Sequence, residues 1–111
     1  MVIIETSIFT KKITTILNDE EYRDLQNVLV AMPGTGDLSP GSGGIRKIRW
    51  GASGRGKRGG ARIIYYWANN YDQIFMLFAY AKNERDDLTK DQLSALRDIV
   101  ISEFKNERLV F

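Results

Sequence analysis

The stretch of the chain between Asp37 and Asp72 carries seven of the sixteen basic residues and no acidic residue. Although the whole chain has a net charge of only +2, a local basic region of this kind is typical of a protein that binds a polyanion. A solvated polar face is the alternative interpretation, but the exclusion of acids from the whole stretch favours polyanion binding. The seven bases are Arg46, Lys47, Arg49, Arg55, Lys57, Arg58 and Arg62.

The spacing of these bases indicates which of them can act together. Residues 45–50 alternate well enough to predict a strand, in which Lys47 and Arg49 share one face. Arg62 lies on the next predicted strand, across a basic loop at 51–60. If the two strands pair, their cations and those of the loop converge over one concave surface. That surface would be formed by Lys47, Arg49, Lys57, Arg58 and Arg62.

Further candidates come from the aromatic residues and from the end of the third predicted strand. Aromatic rings hold single-stranded RNA by stacking on its bases, although most strand aromatics are core residues. Tyr66 is the first candidate because it shares the face of Arg62. We interpret residues 85–87 as a polar connection to the last helix. The strand end could deliver Lys82, Asn83 and Glu84 to the same surface.

Two residue types are absent from the chain, which has no Cys and no His. The first absence excludes disulfides, thiolate nucleophiles and cysteine-ligated zinc. The second removes the usual general base at neutral pH and the commonest zinc ligand. A carboxylate-only magnesium site remains possible, but the basic region contains no acid. We therefore expect no metal and no cofactor, with catalysis by Lys, Arg, Tyr, Asp, Glu, Ser or backbone groups.

Two glycine-rich motif matches in the basic region do not indicate a nucleotide site. Gly54–Gly59 satisfies G-x-G-x-x-G, and Gly51–Lys57 satisfies G-x-x-x-x-G-K. Both lead into a predicted strand, whereas dinucleotide and P-loop sites need a helix at that point. What remains is that glycine lets a backbone approach phosphates closely.

Periodicity and capping signals predict the elements that would position these residues. We expect a compact α+β domain with its helices against one face of a twisted sheet. In the last helix, a Thr89–Gln92 capping box precedes an apolar stripe of Leu93, Leu96, Ile99 or Val100, and Phe104. In order, we predict a strand at 1–4, helices from 6 or 7 to about 17 and from 18 to about 32, an antiparallel three-strand meander at 45–50, 61–68 and 73–81, and a helix from 89.

Length and hydropathy complete the expectations for the whole chain. Its 111 residues suit one hydrophobic core, so we expect a single domain over 1–111. The longest apolar run, at 74–81, is too short for a membrane helix, and the first residues do not form a signal peptide. A cytoplasmic protein without membrane contact is therefore expected.

Three segments carry a family resemblance, namely 43–50, 59–66 and 80–88. They resemble the RelE/ParE superfamily of bacterial toxins, and within it the HigB-type branch of RelE-like mRNA interferases. The resemblance implies a toxin that enters the ribosomal 30S A site and cuts the mRNA there. It also implies a cognate antitoxin, often a helix-turn-helix protein of the HigA kind. The toxin would contact operator DNA only through this antitoxin.

The resemblance also assigns residues by motif position. The family's paired basic residues fall on Lys47 and Arg49, and its catalytic Arg falls on Arg62. The chain departs from the pattern where Asn83 replaces an Arg that many RelE-like toxins carry, and where Thr89 replaces a frequent Tyr. These departures concern proton transfer rather than phosphate binding.

A metal-independent mechanism is consistent with these residues: the RNA 2′-OH attacks the adjacent phosphate, giving a 2′,3′-cyclic end and a free 5′-OH. Arg49 and Arg62 would stabilise the charge that develops on the phosphate. Proton transfer would fall to Lys47 or Lys57, with Lys82 nearby and Glu84 as the alternative base. The remaining RNA-binding candidates are Arg46, Arg55, Lys57, Arg58, Tyr66 and Asn83.

Two other functions fit the same sequence. A ParE-like toxin would inhibit DNA gyrase on the same fold without an RNase centre. A plain RNA-binding module would use the same bases only to hold phosphates. Mapping of RNA 5′ ends in cells would distinguish the three.

Overall fold

The computed structural model of the chain describes residues 1–51, 60–84 and 87–105. The predicted order of elements is confirmed, and one further short strand is present. A single 3₁₀ turn, Asn69–Tyr71, joins the last two strands, and a π-helical turn, Ile101–Lys105, continues the last helix. The elements are β1 (Val2–Glu5), α1 (Ser7–Ile16), α2 (Asp19–Ala31), β2 (Asp37–Leu38), β3 (Ile45–Trp50), β4 (Ala61–Ala68), β5 (Gln73–Ala81) and α3 (Lys90–Val100).

Side-chain caps fix where the three helices begin. Thr6 caps α1, where its hydroxyl accepts a hydrogen bond from the Phe9 amide. Asn18 caps α2 in a full capping box with Glu21, and the Thr89–Gln92 capping box at α3 is formed as predicted. Each cap satisfies amide donors that have no partner within the helix.

The five strands form one sheet in the order β1-β5-β4-β3-β2. The predicted meander of β3, β4 and β5 is confirmed as antiparallel. The N-terminal strand pairs with β5 in parallel, so the first strand lies next to the last one. The unpredicted β2 adds two residues to the other edge, beside β3.

The helices cover both faces of the sheet, so the prediction that they share one face is wrong for α3. One core cluster joins Ile63 and Tyr65 of β4 to residues of α1 and α2. The other joins Ile64 and Ala68 of the same strand to Val100 of α3. The physical reason is the composition of β4 and β5, which are apolar on both faces and need cover on each.

In the described part of α3, the predicted apolar stripe is confirmed for Leu93, Leu96 and Val100, which pack in the second core cluster, and Val100 rather than Ile99 is its third member. Val100 is buried, whereas Leu93 and Leu96 are half-buried and Ile99 is exposed. The side chain of Phe104 lies outside the described part of the chain. The N-terminal half of α3 therefore stands partly clear of the sheet, and this leaves room for a cleft between helix and strands.

In the described ranges, no helix has the length and apolar character needed to cross a membrane.

Candidate active site

Three neighbouring strands place polar side chains side by side on the face that α3 covers. In the strand register, Arg49 of β3 lies opposite Arg62 of β4, and Arg62 lies opposite Tyr80 of β5. Side chains directly opposite one another on adjacent antiparallel strands have Cβ atoms about 5 Å apart. Lys47 lies two residues from Arg49 on the same face, opposite Ile64. The structure thus brings Lys47, Arg49 and Arg62 to one face of the sheet.

Lys47 and Arg49 line a cleft of about 290 Å³ between the sheet edge, the 37–40 segment and the start of α3. Arg49 is exposed, and the Lys47 side chain keeps about a quarter of its surface accessible. Arg62, at 4% exposure, lies on the neighbouring strand and is not part of the described lining. The described lining consists of Asp37, Leu38, Ser39, Pro40, Lys47, Arg49, Ile64, Asp87, Leu88 and Leu93.

The buried Arg62 makes the electrostatics of this site unusual. Its guanidinium group donates a hydrogen bond to the carbonyl oxygen of Ala61 at 3.3 Å. A buried cation carries a desolvation penalty, and like charges directly opposite each other destabilise a strand pair. Arg49 lies in that opposite position. The two guanidinium groups thus lie on neighbouring strands of one face, and a guanidinium group can hold a phosphate through paired N–H donors.

The described lining of the cleft combines two cations, Lys47 and Arg49, with two carboxylates, Asp37 and Asp87. The Asp87 Oδ1 atom lies 3.3 Å from the Lys47 Nζ atom and 3.5 Å from the Tyr80 hydroxyl. It also accepts a hydrogen bond of 2.8 Å from the Leu88 amide. Partial burial favours the neutral acid, but these three donors outweigh that effect and hold the pKa of Asp87 below its usual range. Asp87 is therefore ionised at neutral pH.

Sequence analysis missed Asp87 and Tyr80 as members of the site. Asp87 was interpreted as part of a polar connection, and Tyr80 only as one of several strand aromatics. Tyr80 could have been found, because strand alternation puts it in line with Arg62 once the meander is accepted. For Asp87 no local signal exists, since its partner Lys47 is 40 residues away.

Residues at the end of β5 are not brought into the cleft. The Glu84 carboxylate lies 2.6 Å from the Lys12 Nζ atom of α1, the helix that packs on the other face. The Lys82 amide donates to the carbonyl oxygen of Gly60, and the Lys82 side chain is half-buried. Asn83 is exposed. None of these three residues belongs to the described lining of the cleft.

Two of the predicted RNA-binding residues serve the fold. Arg46 points away from Lys47, and its guanidinium group donates to the carbonyl oxygens of Gly34 and Gly36, at 3.0 and 2.8 Å. Tyr66 packs into the core cluster of α3 and lies against Gly44. The loop cations Arg55, Lys57 and Arg58 lie outside the described residues.

The described residues contain no cluster of three or more acidic side chains that could hold a metal ion. The groups described at the cleft and on the strands beside it are two guanidinium groups, an ammonium group and a carboxylate already in contact, and a buried phenol.

An antiparallel-rich sheet with paired N-terminal helices on one face and a C-terminal helix on the other is consistent with the RelE-like fold of small α+β toxin domains. Comparison with protein families agrees: the family model for the RelE toxin of the RelE/RelB toxin–antitoxin system matches residues 1–109. The chain belongs to this RelE toxin family. It is the toxin of a type II toxin–antitoxin system, and its partner is an antitoxin.

Proposed function

We propose that this toxin is a metal-independent endoribonuclease of the HigB-type branch that enters the ribosomal A site and cuts mRNA there. The observation that carries the proposal is the alignment of Arg49, Arg62 and Tyr80 across three strands, next to the Lys47–Asp87 pair. The guanidinium groups of Arg49 and Arg62 can hold the non-bridging oxygens of one phosphate. The Lys47–Asp87 pair supplies a proton donor and a proton acceptor that are already in contact.

The reaction is a transfer of the phosphate from the 5′-oxygen to the 2′-oxygen. The 2′-oxygen forms a bond to phosphorus and the bond from phosphorus to the 5′-oxygen breaks. The proton of the 2′-OH passes to a base, and the departing 5′-oxygen takes up a proton from an acid. The products are a 2′,3′-cyclic phosphate and a 5′-OH, with no change in the total number of protons.

The contacts in the cleft favour Asp87 as the base and Lys47 as the acid. Asp87 is ionised at neutral pH and Lys47 is its ammonium partner, so each group already holds the proton state that its role requires. Glu84, the alternative base predicted from the sequence, pairs with Lys12. Arg49 and Arg62 stabilise the charge on the phosphate, and the ribosome would position the mRNA for in-line attack.

The antitoxin would neutralise the toxin by covering these cations. A segment rich in Asp and Glu is the natural ligand for the surface around Lys47 and Arg49 when RNA is absent. From the branch resemblance we expect a helix-turn-helix antitoxin of the HigA kind, which would carry the toxin to operator DNA. Cytoplasmic action follows from the same proposal, because ribosomes are the target.

The test is induction of the gene in cells followed by mapping of new RNA 5′ ends. Cuts at fixed positions within codons of translated mRNA are the expected result, and the Arg62→Ala variant should abolish them. Arg23→Ala, which removes an exposed Arg from α2, is the matched control and should cut as the unmodified protein does. DNA breaks without RNA cuts would replace the proposal with a ParE-like gyrase inhibitor, and neither kind of break would indicate a non-catalytic RNA binder.

A further inference from the structure

A second hollow of about 220 Å³ lies beside the cleft, between the turn at 40–42 and the outer side of α3. It shares two lining residues, Pro40 and Leu93, with the cleft. The two hollows therefore adjoin, and a chain leaving the cleft could continue into the second one. We call this hollow the α3 groove. Its described lining is Pro40, Gly41, Ser42, Lys90, Leu93, Ser94 and Arg97.

One face of α3 gives the groove its charge. Lys90, Ser94 and Arg97 are spaced by four and three residues, so they stand in one row along the helix. The acids of the helix, Asp91 and Asp98, each follow one of these cations by one residue, about 100° further round the helix. Neither acid belongs to the groove lining. The groove is thus cationic although the helix as a whole is not.

The opposite wall of the α3 groove is a preformed turn. The Ser42 side chain is almost wholly buried and donates to the Ser39 carbonyl oxygen at 2.6 Å, while its hydroxyl accepts from the Ile45 amide at 3.0 Å. Gly41 has a φ of +70°, and the space where its Cβ would lie is open to at least 4 Å. The backbone there is therefore fixed and accessible to a ligand.

We propose that the α3 groove binds the phosphate of the nucleotide next to the scissile linkage. The proposal rests on the proposed nuclease function, because the adjoining cleft is the place where the scissile phosphate would lie. The Arg97 guanidinium group and the Lys90 ammonium group would grip the neighbouring phosphate, with the Ser94 hydroxyl as a further donor. The cleft and the groove together would thus recognise a chain of at least two phosphates, and affinity would depend on the length of the RNA.

The test compares short RNAs of two lengths on the whole protein. Labelled oligoribonucleotides with 2′-O-methyl groups cannot be cleaved, and fluorescence anisotropy gives their Kd. A dinucleotide has one internal phosphate and can fill only the cleft, whereas a hexanucleotide can also reach the groove. We expect the hexanucleotide to bind about tenfold more tightly than the dinucleotide.

The Lys90→Ala/Arg97→Ala variant should remove most of this tenfold preference while dinucleotide binding stays the same. The dependence of log K on log salt should fall by about 0.7 for each phosphate that the variant no longer binds. Lys11→Ala/Arg23→Ala, which removes two exposed cations from α1 and α2, is the matched control and should keep the preference.

Three outcomes would overturn the inference. If the Lys90→Ala/Arg97→Ala variant still binds the hexanucleotide more tightly than the dinucleotide, the α3 groove does not bind RNA. This conclusion holds even if the variant no longer binds the antitoxin. If the control variant loses the preference equally, overall charge is the cause and no subsite exists. If the unmodified protein binds neither oligonucleotide while the RNA cuts in cells are present, the inference fails alone; if the cuts are absent as well, the proposed function fails with it.

Discussion

Arg46 and Arg49 lie three residues apart on one strand, point to opposite faces of the sheet and meet opposite environments. On the α1–α2 face, Arg46 donates to two backbone carbonyl oxygens. On the α3 face, Arg49 is exposed beside the cleft and lies across from the buried Arg62. One arginine has its hydrogen bonds made by the fold, and the other faces a second cation.

The same contrast extends across both faces. Behind α1 and α2, carboxylates are paired with donors from the fold: Glu5 accepts from Thr10 and Tyr22, and Glu84 pairs with Lys12. On the other face, Lys47 and Arg49 of β3 line a cleft together with Asp37 and Asp87, and Lys47 is paired with the largely exposed Asp87. The polar groups on the α1–α2 face are satisfied within the fold, whereas Lys47, Arg49 and Asp87 line a cleft that a ligand can enter.

The largest expected effect comes from removing the buried charge that lies opposite Arg49 on the neighbouring strand. Arg62→Met keeps most of the side-chain volume and removes the guanidinium group, so cleavage should fall by about 10³-fold, as when a fixed donor to the reacting charge is removed. The free energy of unfolding should fall by no more than about 1–2 kcal/mol, because Met fills most of the buried volume while the hydrogen bonds of the guanidinium group, that to Ala61 among them, are lost. Single-turnover cleavage on programmed ribosomes and a urea titration measure the two effects.

A much larger loss of stability in Arg62→Met, enough to account for the lost cleavage, would make Arg62 a structural residue and remove the contrast between the faces. Arg62→Lys separates charge from geometry. It keeps a cation but not the planar fork, so cleavage should remain well below that of the unmodified protein. Full activity of this variant would contradict bidentate phosphate binding.

The two arginines of β3 provide the next test. Arg49→Ala should lower cleavage by about 10²-fold and leave stability unchanged, because the side chain that is removed is exposed at the cleft. Arg46→Ala should do the reverse and lower the free energy of unfolding by about 1–3 kcal/mol, because its charge-assisted hydrogen bonds to Gly34 and Gly36 are removed. Both variants need the same two assays. Equal effects on activity would show that the two faces do not differ in function.

Several parts of the fold and the site follow from local patterns. The alternation in β3 and β4 puts Lys47, Arg49 and Arg62 on one face, and the capping residues mark the helix starts. The same alternation turns Arg46 to the other face, where it donates to Gly34 and Gly36. Tyr66 likewise shares the face of Arg62 but lies further along the strand, against Gly44.

Other features depend on contacts between distant residues and have no local signal. The two residues of β2 are too few to show alternation, and the parallel pairing of β1 with β5 joins the first strand of the chain to the last. Asp87 contacts Lys47, 40 residues away, and Glu84 contacts Lys12, 72 residues away. Only the tertiary structure shows that Asp87 lines the cleft and that Glu84 does not.

Asp87 gives a pH test of the α3 face. The pKa of Asp87 lies below its ordinary value of 3.8, so the carboxylate stays ionised as the pH falls from 7 to 5. If Asp87 is the base, cleavage by the unmodified protein should show no acid limb from this group in that interval, and Asp87→Asn should lower cleavage by about 10²-fold. A pH–rate profile of both proteins provides the measurement.

The lowered pKa of Asp87 also means that its ionised form stabilises the folded protein, but this contribution to the free energy of unfolding is small. A carboxyl group whose pKa is lowered in the folded state stabilises the protein above the unfolded pKa, and that stabilisation is lost as the pH falls through the folded pKa. Because Asp87 is largely exposed, solvent screens its pairing with Lys47. Asp87→Asn should therefore unfold at nearly the same urea concentration at pH 7. A strong loss of stability would make Asp87 a positioning residue of the loop rather than the base.

The smallest effect belongs to the α1–α2 face. Tyr22 donates its hydroxyl hydrogen to the Glu5 carboxylate, which also accepts from Thr10 at 2.7 Å. Burial and this hydrogen bond raise the pKa of Tyr22 above its usual range. Tyr22→Phe should lower the free energy of unfolding by about 1–2 kcal/mol and leave cleavage unchanged, because the hydrogen bond that it removes joins α2 to β1, on the face away from the cleft. A double-mutant cycle with Glu5→Gln isolates the pairwise contribution. Should Tyr22→Phe reduce cleavage while the protein remains fully folded, the α1–α2 face would contribute to function as well as to stability, and the division of roles between the two faces would not hold.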